Sequence, residues 1–376
     1  MNALDLQKQA IVLAAGGTGG HVYPALALAD VLRSRNWPIS FVTDERGTAF
    51  GQPTPGTEIH HIKAASLGGG ACSKLKGLTQ LGVGLLQARA LLKRLRPAAA
   101  VGFGGYPSVP TMCAATQIGT PTIIHEQNAV LGRANRLLAP RVRTIATSFE
   151  QVSGIQPQAV GKVMLTGNPV REAISQIGEM PYPPLTANDP IRLLIFGGSQ
   201  GARVLSEVVP NALTSLSQKE RSRLQVTQQC RPEDLERVKA AYDAADISAS
   251  LATFFDDMPE RLSTAHLVIA RAGASTITEL MAAGRPAILI PYPHAADDHQ
   301  TANASSIAAA GASWCIPEPQ FTVAYLIDEL RRFLKQPDVL TEAARNTKSL
   351  RRADASEWLA DAVEATIELS KQEEAA

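Results

Sequence analysis

The sequence has no stretch approaching the roughly 20 apolar residues that a membrane span requires, so any membrane contact is expected to be peripheral. A secretory signal is missing too: Lys8 leads almost directly into the short apolar run Ala10–Ala15, which glycines then break. Cysteine is scarce. Cys72, Cys113, Cys230 and Cys315 stand far apart, with no pair at redox or metal-ligand spacing. This argues against a disulfide framework and reads as reduced thiols in a cytosolic setting. Charge is nearly balanced, with a formal net charge of +1, so bulk electrostatics give no reason to expect nucleic acid as a partner. Two nucleotide signatures are absent as well. Neither glycine cluster spells G-x-G-x-x-G, and neither ends in Gly-Lys-Ser/Thr, which disfavours a dinucleotide dehydrogenase and an ATPase. Asp297, Asp298 and His299 are neighbours on one stretch, a poor arrangement for ligation, and no resident metal is expected.

What remains is an ordinary globular composition, 45% hydrophobic and 19% charged, in 376 residues, long enough for two domains with separate cores. The chain repeats one grammar. Ala10–Ala15 reads as a buried strand, Gly16–Gly20 as a loop, and Val22–Arg33 as a helix with Pro24 in its first turn. Ile39–Thr43, Ala98–Val101 and Pro121–His125 are further strands, and Leu85–Leu95 is a helix. After a linker near Gly167–Arg171 and a polar, proline-rich segment 178–190, the pattern restarts. Ile191–Phe196 is a strand, Gly197–Gly201 a loop and Ala202–Leu216 a helix, followed by strands near Leu267–Ala270 and Ala287–Ile290. Short strands separated by helices predict parallel β-α-β units with ligand loops at the strand C-termini. The last stretch, Ala353–Leu369, carries Trp358, Leu359, Ala362, Val363 and Ile367 on one helical face that needs a partner, with the first domain as a candidate. The expected division is 1–168, 169–350 and a terminal helix 351–376. The fold class is α/β, two doubly wound Rossmann-like domains facing each other across a cleft.

Both glycine loops sit between a strand and a helix, where backbone N–H groups and the helix dipole favour an anion. His21 follows the first loop. From the sequence alone it is equally a base or hydrogen-bond partner and a capping or packing residue. Arg271–Glu279, with Ala274, Ser275 and Thr276, follows a strand and opens a helix. Glu279 lies about one and a half turns inside it, where a carboxylate can accept ribose hydroxyls. The stretch Tyr292–Asn303, with His299 and Gln300, gathers side chains able to bond sugar hydroxyls. Lys74 and Lys76 among Leu75, Leu78 and neighbouring apolar residues, beside Gly68–Gly70, suit an anionic membrane surface or else an ordinary crossover helix.

Gly16–His21, Gly102–Tyr106, His125–Asn128, Gly167–Arg171, Gly197–Ala202 and Arg271–Thr276 occur in an order that resembles the MurG family of UDP-N-acetylglucosamine transferases, glycosyltransferase family 28. The match spans about residues 10–320. The resemblance implies the GT-B fold and an inverting transfer of N-acetylglucosamine from UDP-GlcNAc to undecaprenyl-diphospho-MurNAc-pentapeptide (lipid I), giving lipid II. By the same resemblance, Ser199 and the amides near it bond the donor diphosphate with Arg171 nearby, Phe255 presents backbone to uracil, Glu279 binds ribose and Gln300 the sugar. Thr18, Gly19, Gly20 and Asn128 reach the donor from the first domain. His21, Tyr106 and Glu126 are the catalytic candidates, with His21 first and Glu126 second as base. No cofactor is required, and Mg²⁺ stimulation is left open. The implied location is the cytoplasmic face of the bacterial membrane, with cell-wall or division proteins as further partners. The rivals are another enzyme on this scaffold, such as a lipid glycosyltransferase or UDP-GlcNAc 2-epimerase, and a nucleotide-sugar-binding module without catalysis.

Overall fold

A computed structural model describes residues 8–16, 19–44, 57–64, 71–198 and 201–375, with the side chains of 71–76 and 78 outside that description. The chain forms two units, Met1–Arg171 with Asp354–Ala376, and Glu172–Ala353.

The first unit runs β1 (Ile11–Ala14), α1 (Gly19–Ser34), β2 (Ile39–Thr43), β3 (Glu58–His61), α2 (Ala71–Leu95), β4 (Ala99–Gly102), α3 (Ser108–Gln117), β5 (Thr122–Glu126), α4 (Arg133–Leu138), β6 (Thr144–Thr147) and β7 (Val163–Leu165). Its strands form a seven-stranded sheet in the order β3-β2-β1-β4-β5-β6-β7, with every pairing parallel. The central strands are buried at each residue, as expected where helices cover both faces. β3 and β7 are the partly exposed edges. The chain builds outward from β1 to β3, then crosses back to place β4 on the other side of β1. This reversal opens a crevice at the C-termini of β1 and β4.

The second unit runs α5 (Glu172–Ile177), β8 (Ile191–Phe196), α6 (Arg203–Ser215), α7 (Gln218–Arg221), β9 (Leu224–Gln229), α8 (Leu235–Ala244), β10 (Ala249–Ala252), α9 (Met258–Thr264), β11 (Leu267–Ala270), α10 (Ala274–Ala283), β12 (Ala287–Leu289), α11 (His299–Ala308), β13 (Ser313–Cys315), α12 (Val323–Lys335) and α13 (Asp338–Ser349). The six-stranded order is β10-β9-β8-β11-β12-β13, again parallel throughout. Its reversal falls between β8 and β11.

The terminal helix α14 (Ala355–Ala375) belongs to the first unit. Leu359, Ala360, Val363 and Ile367 join the core formed by β1, α1 and β4. Arg35 binds Glu357, Asp361 at 2.7 Å and Glu364 at 2.7 Å, and Trp37 Nε1 donates to Glu364 at 2.6 Å. Thr366 meets Thr144 of β6 at 2.8 Å between hydroxyls. Trp358 does not share the buried face. It is 41% exposed, because one residue before Leu359 points about 100° around the helix.

Two boundaries differ from the sequence expectation. The helix read at Leu85–Leu95 is the last part of α2, which already begins at Ala71; Gly77, Gly82 and Gly84 weaken the helical signal there. α1 starts at Gly19, so Pro24 lies inside the helix rather than in its first turn. Its missing N–H removes the ladder bond to the Gly20 carbonyl.

Leu359 is fully buried, and truncating such a residue costs about 2–5 kcal/mol. Leu359→Ala is therefore expected to shift the first unit's transition in differential scanning calorimetry to lower temperature while leaving that of the second unit in place.

Candidate functional site

In the first unit the chemistry gathers at the β1/β4 crevice. Gly104 and Gly105 follow β4 with φ of +87° and +74°, a conformation glycine adopts without strain. A Cβ at Gly104 would lie 3.3 Å from His21 Cε1, and one at Gly105 would lie 3.5 Å from His21 Cδ2 and 3.0 Å from the Gly16 carbonyl. The glycines thus let the β4 loop close over the imidazole. Tyr106, next in the chain, is 42% exposed. Gly19 packs so closely on Tyr23 that a Cβ there would come within 2.7 Å of the ring, and the Arg171 guanidinium lies 5.1 Å from the centroid of the same ring.

The segment after β5 is held by side chains that sequence reasoning left out. Gln127 is 2% exposed. Its Nε2 lies 3.0 Å from the Phe103 carbonyl, 3.2 Å from the His125 carbonyl and 3.0 Å from His125 Nδ1. His21 Nδ1 lies 3.2 Å from Gln127 Oε1. His125 is fully buried and donates from Nε2 to the Gly167 carbonyl at 3.0 Å. Burial away from water lowers its pKa from 6.5 to about 4, against the opposing pull of the Gly167 carbonyl.

Glu126 is 1% exposed. Its Oε1 accepts from Asn128 N at 3.0 Å and Asn128 Nδ2 at 3.1 Å, and its Oε2 from Gly132 N at 2.8 Å and Asn135 Nδ2 at 2.8 Å. A carboxylate offers about four lone-pair sites, and these donors match that number. The arrangement suits a carboxylate that shapes the 126–135 loop better than one that reaches for a substrate proton. The same bonds place Asn128 at the C-terminal end of β5.

In the second unit the loops leave β8, β10, β11 and β12. Gly197 packs tightly against the start of α6. A Cβ on Gly197 would lie 2.3 Å from the Ala202 nitrogen, Gly198 and Gly201 have φ of +82° and +69°, and Gly201 N donates to Gly198 O at 3.0 Å. Gln229, at the end of β9, accepts from Gly197 N at 3.2 Å and donates to the carbonyls of Gly198 at 3.2 Å and Thr253 at 3.1 Å. One amide therefore joins the glycine loop to the segment carrying Phe254 and Phe255. Phe254 is 60% exposed, whereas Phe255 is buried beneath the Arg261 guanidinium, 4.0 Å from its ring centroid.

Gly273 caps α10, which carries Ala274, Ser275, Thr276 and Glu279. Neither α6 nor α10 has an acidic residue in its first turn or a side-chain N-cap bond, so their positive ends are not neutralised locally. Ser275 Oγ is buried with no partner among the described residues. Gln300 Oε1 accepts from Ala272 N at 3.2 Å and Tyr292 N at 2.9 Å. Those backbone donors fix the oxygen's position and leave Nε2 as the end of the amide that donates. Asn303 Nδ2 donates to the Ala272 carbonyl at 3.2 Å, so both backbone polar groups of Ala272 are held. Arg271 is engaged elsewhere, with the Ile290 and Pro291 carbonyls and with Glu318 at 2.6 Å; it ties two loops together rather than facing a ligand. Asp297 and Asp298 hold positive φ of 53° and 50°, and His299 Nδ1 donates to Ala296 O at 2.7 Å. Among the described residues, no group of three or more His, Cys, Asp or Glu is arranged to hold a metal ion. Thr18 and Ser199 lie outside the described residues, as do Gly68–Gly70 and the side chains of Lys74, Leu75, Lys76 and Leu78.

Residues 11–147 match the glycosyltransferase family 28 N-terminal domain, and residues 192–359 the glycosyltransferase family 28 C-terminal domain. The chain is 53% identical to the UDP-N-acetylglucosamine–N-acetylmuramyl-(pentapeptide) pyrophosphoryl-undecaprenol N-acetylglucosamine transferase of Paramagnetospirillum magneticum, over 96% of this chain and 97% of that protein. It is 50% identical to the protein of the same name from Rhodospirillum centenum, over 94% and 93%. The crystal structure of Acinetobacter baumannii MurG superposes with a TM-score of 0.76 at 30% identity, covering 95% of this chain and 99% of that one.

His125 yields a pH prediction. Its folded pKa of about 4 lies below its unfolded value of about 6.5, so the unfolded chain binds the extra proton between these limits. The stabilisation is fully present above pH 6.5 and is lost as pH falls toward 4, by roughly 3 kcal/mol at most. The thermal midpoint of the first unit is expected to fall over this window, with a shallower slope in His125→Gln.

Proposed function

The chain belongs to glycosyltransferase family 28, and from that premise we propose how its residues divide one reaction. The protein transfers N-acetylglucosamine from UDP-GlcNAc to lipid I and forms lipid II. The observation that carries this reading is the near-full-length identity of about half to transferases of that name, joined to a paired set of anion-ready loops. It favours the transferase over an epimerase, a different lipid glycosyltransferase or a binding module, for which fold alone would suffice.

The second unit holds the donor. The uncapped starts of α6 and α10 and the N–H groups of the Gly197–Gly201 loop receive the diphosphate; the Ser199 hydroxyl donates to it, and the Arg171 guanidinium, just before the second unit in the chain, offsets its charge. Backbone at Phe255 meets uracil, the Glu279 carboxylate accepts the ribose hydroxyls, and Ser275 and Thr276 supply hydroxyls beside them. The Gln300 amide nitrogen donates to a hydroxyl of the sugar, a role its two backbone partners prepare by fixing the oxygen end. Thr18, Gly19, Gly20 and Asn128 are further donor-binding residues.

The first unit takes the acceptor. His21 receives the proton of the MurNAc 4-hydroxyl as that oxygen attacks the anomeric carbon. The bond from that carbon to the β-phosphate oxygen breaks, and UDP leaves with the electron pair. One displacement inverts the α-linked donor to a β product. Tyr106 contacts the acceptor, a role its exposure beside the glycines that cover His21 supports. Among the described residues no helix is long and apolar enough to cross a membrane. Val83 and Leu86 on α2 are 42% and 69% exposed, on the helix that also carries Lys74 and Lys76. This supports peripheral docking of α2 on an anionic surface at the cytoplasmic face.

The reading is tested by assaying UDP release with and without lipid I. Release that needs lipid I and yields a disaccharide product is expected; release without acceptor, or an epimerised sugar, would contradict it. Within the donor site, Gln300→Leu should raise the KM for UDP-GlcNAc about tenfold, the loss of one to two hydrogen bonds, with the Kd for UDP nearly unchanged. Gln229→Ala should instead weaken UDP itself by about tenfold, read by calorimetric titration, because it frees two donor-facing loops from each other.

A further inference from the structure

We propose that Gln127 is a positioning residue that fixes His21 in the tautomer protonated on Nδ1, so that Nε2 carries the lone pair that accepts the proton. The catalytic part of this proposal rests on the reading of His21 as the acceptor base; the tautomer itself does not.

Atoms that can only accept hydrogen bonds fix the orientation of the Gln127 amide. The carbonyl oxygens of Phe103 and His125 lie 3.0 and 3.2 Å from one end of the Gln127 amide. Carbonyls have no proton to give, so that end is the NH₂ group, and the reversed amide would set oxygen against two oxygens. The other end is therefore Oε1, and it faces His21 Nδ1 at 3.2 Å. An amide oxygen also only accepts, so Nδ1 must bear the hydrogen. In a neutral imidazole the lone pair then resides on Nε2.

His125 gives an independent check on the same amide. Its Nε2 faces the Gly167 carbonyl at 3.0 Å, which requires Nε2–H and leaves Nδ1 as an acceptor. That acceptor lies 3.0 Å from the nitrogen end of Gln127, so the two assignments agree. Burial favours the neutral form of His125, whereas a protonated ring would turn Nδ1–H against the amide hydrogens and break the chain. The direction of every bond from Gly167 to His21 is thus set by backbone carbonyls in the first unit. Gly104 and Gly105, packed over the ring, restrain its rotation. The group that accepts from His21 Nδ1 here is an amide oxygen, while Glu126 accepts from Asn128, Gly132 and Asn135.

The test is nitrogen NMR on the full-length chain labelled with ¹⁵N-histidine, recorded near pH 8. Two-bond ¹H–¹⁵N correlations distinguish the tautomers, and the His21 signals are identified by their loss in His21→Gln. The expected wild-type pattern is a protonated Nδ1 and an unprotonated Nε2. In Gln127→Leu the pattern should move to Nε2–H or to a tautomer mixture, kcat should fall about 10²-fold, and the KM for UDP-GlcNAc should stay within about twofold. Gln127→Met serves if the leucine variant does not fold. A wild-type His21 protonated on Nε2, or a tautomer unchanged by removal of the amide, overturns the proposal. If the tautomer is as expected but His21→Gln keeps normal turnover, the base assignment fails and with it the catalytic part of the proposal, while the role of Gln127 in setting the tautomer stands.

Discussion

Each sheet reverses its strand order once, and the rest of the molecule is arranged around those two places. At β1/β4 and at β8/β11 adjacent crossovers depart to opposite sides, which opens a crevice at the strand ends. The loops assigned to substrate after β1, β4, β5, β8, β11 and β12 leave the sheet at or next to a reversal, whereas the Phe255 segment follows the edge strand β10. The tight glycine turns follow from this constraint: backbone must bend within a few residues from a buried strand into a helix, and a side chain at Gly105 or Gly197 would strike neighbouring backbone.

Amide side chains then convert open crevices into defined sites. Gln127, Gln229 and Gln300 each stand at or just beyond a strand or loop end and bind backbone groups of a second loop. An amide both donates and accepts, so it can bridge a carbonyl and an N–H without adding charge beside an anionic ligand. Asn135 and Asn303 extend the pattern through the His125 and Ala272 carbonyls. The charged residues are used differently: Arg271 ties loops together through carbonyls and Glu318, and Arg35 gathers three acidic side chains to hold α14 on the first unit.

Much of this was legible in the residues. The apolar runs at Ile11–Ala14 and Ile191–Phe196, each followed by glycines, declare buried parallel strands and their loops, and His21 and Glu279 could be singled out by position. Other features were not. β3 and β10 are short edge strands with polar residues, so they lack the apolar run that marks a buried strand. α2 is obscured by internal glycines. Trp358 looks like a core residue until the phase of α14 is known. The roles of Gln127 and Glu126 could not be read at all, because neighbours in His125–Asn128 point in different directions and bond to residues far along the chain. Glutamine beside a glycine loop at a strand end is the signal that could have found Gln127 and Gln229.

The central claim is a division of labour, with donor binding in the second unit and proton removal by His21 in the first. It is tested most directly by titrating UDP into His21→Ala calorimetrically and measuring lipid II formation by the same preparation. The account predicts an unchanged Kd for UDP and a rate lower by about 10²–10⁴-fold. Near-normal turnover, or loss of UDP binding in step with turnover, would contradict it.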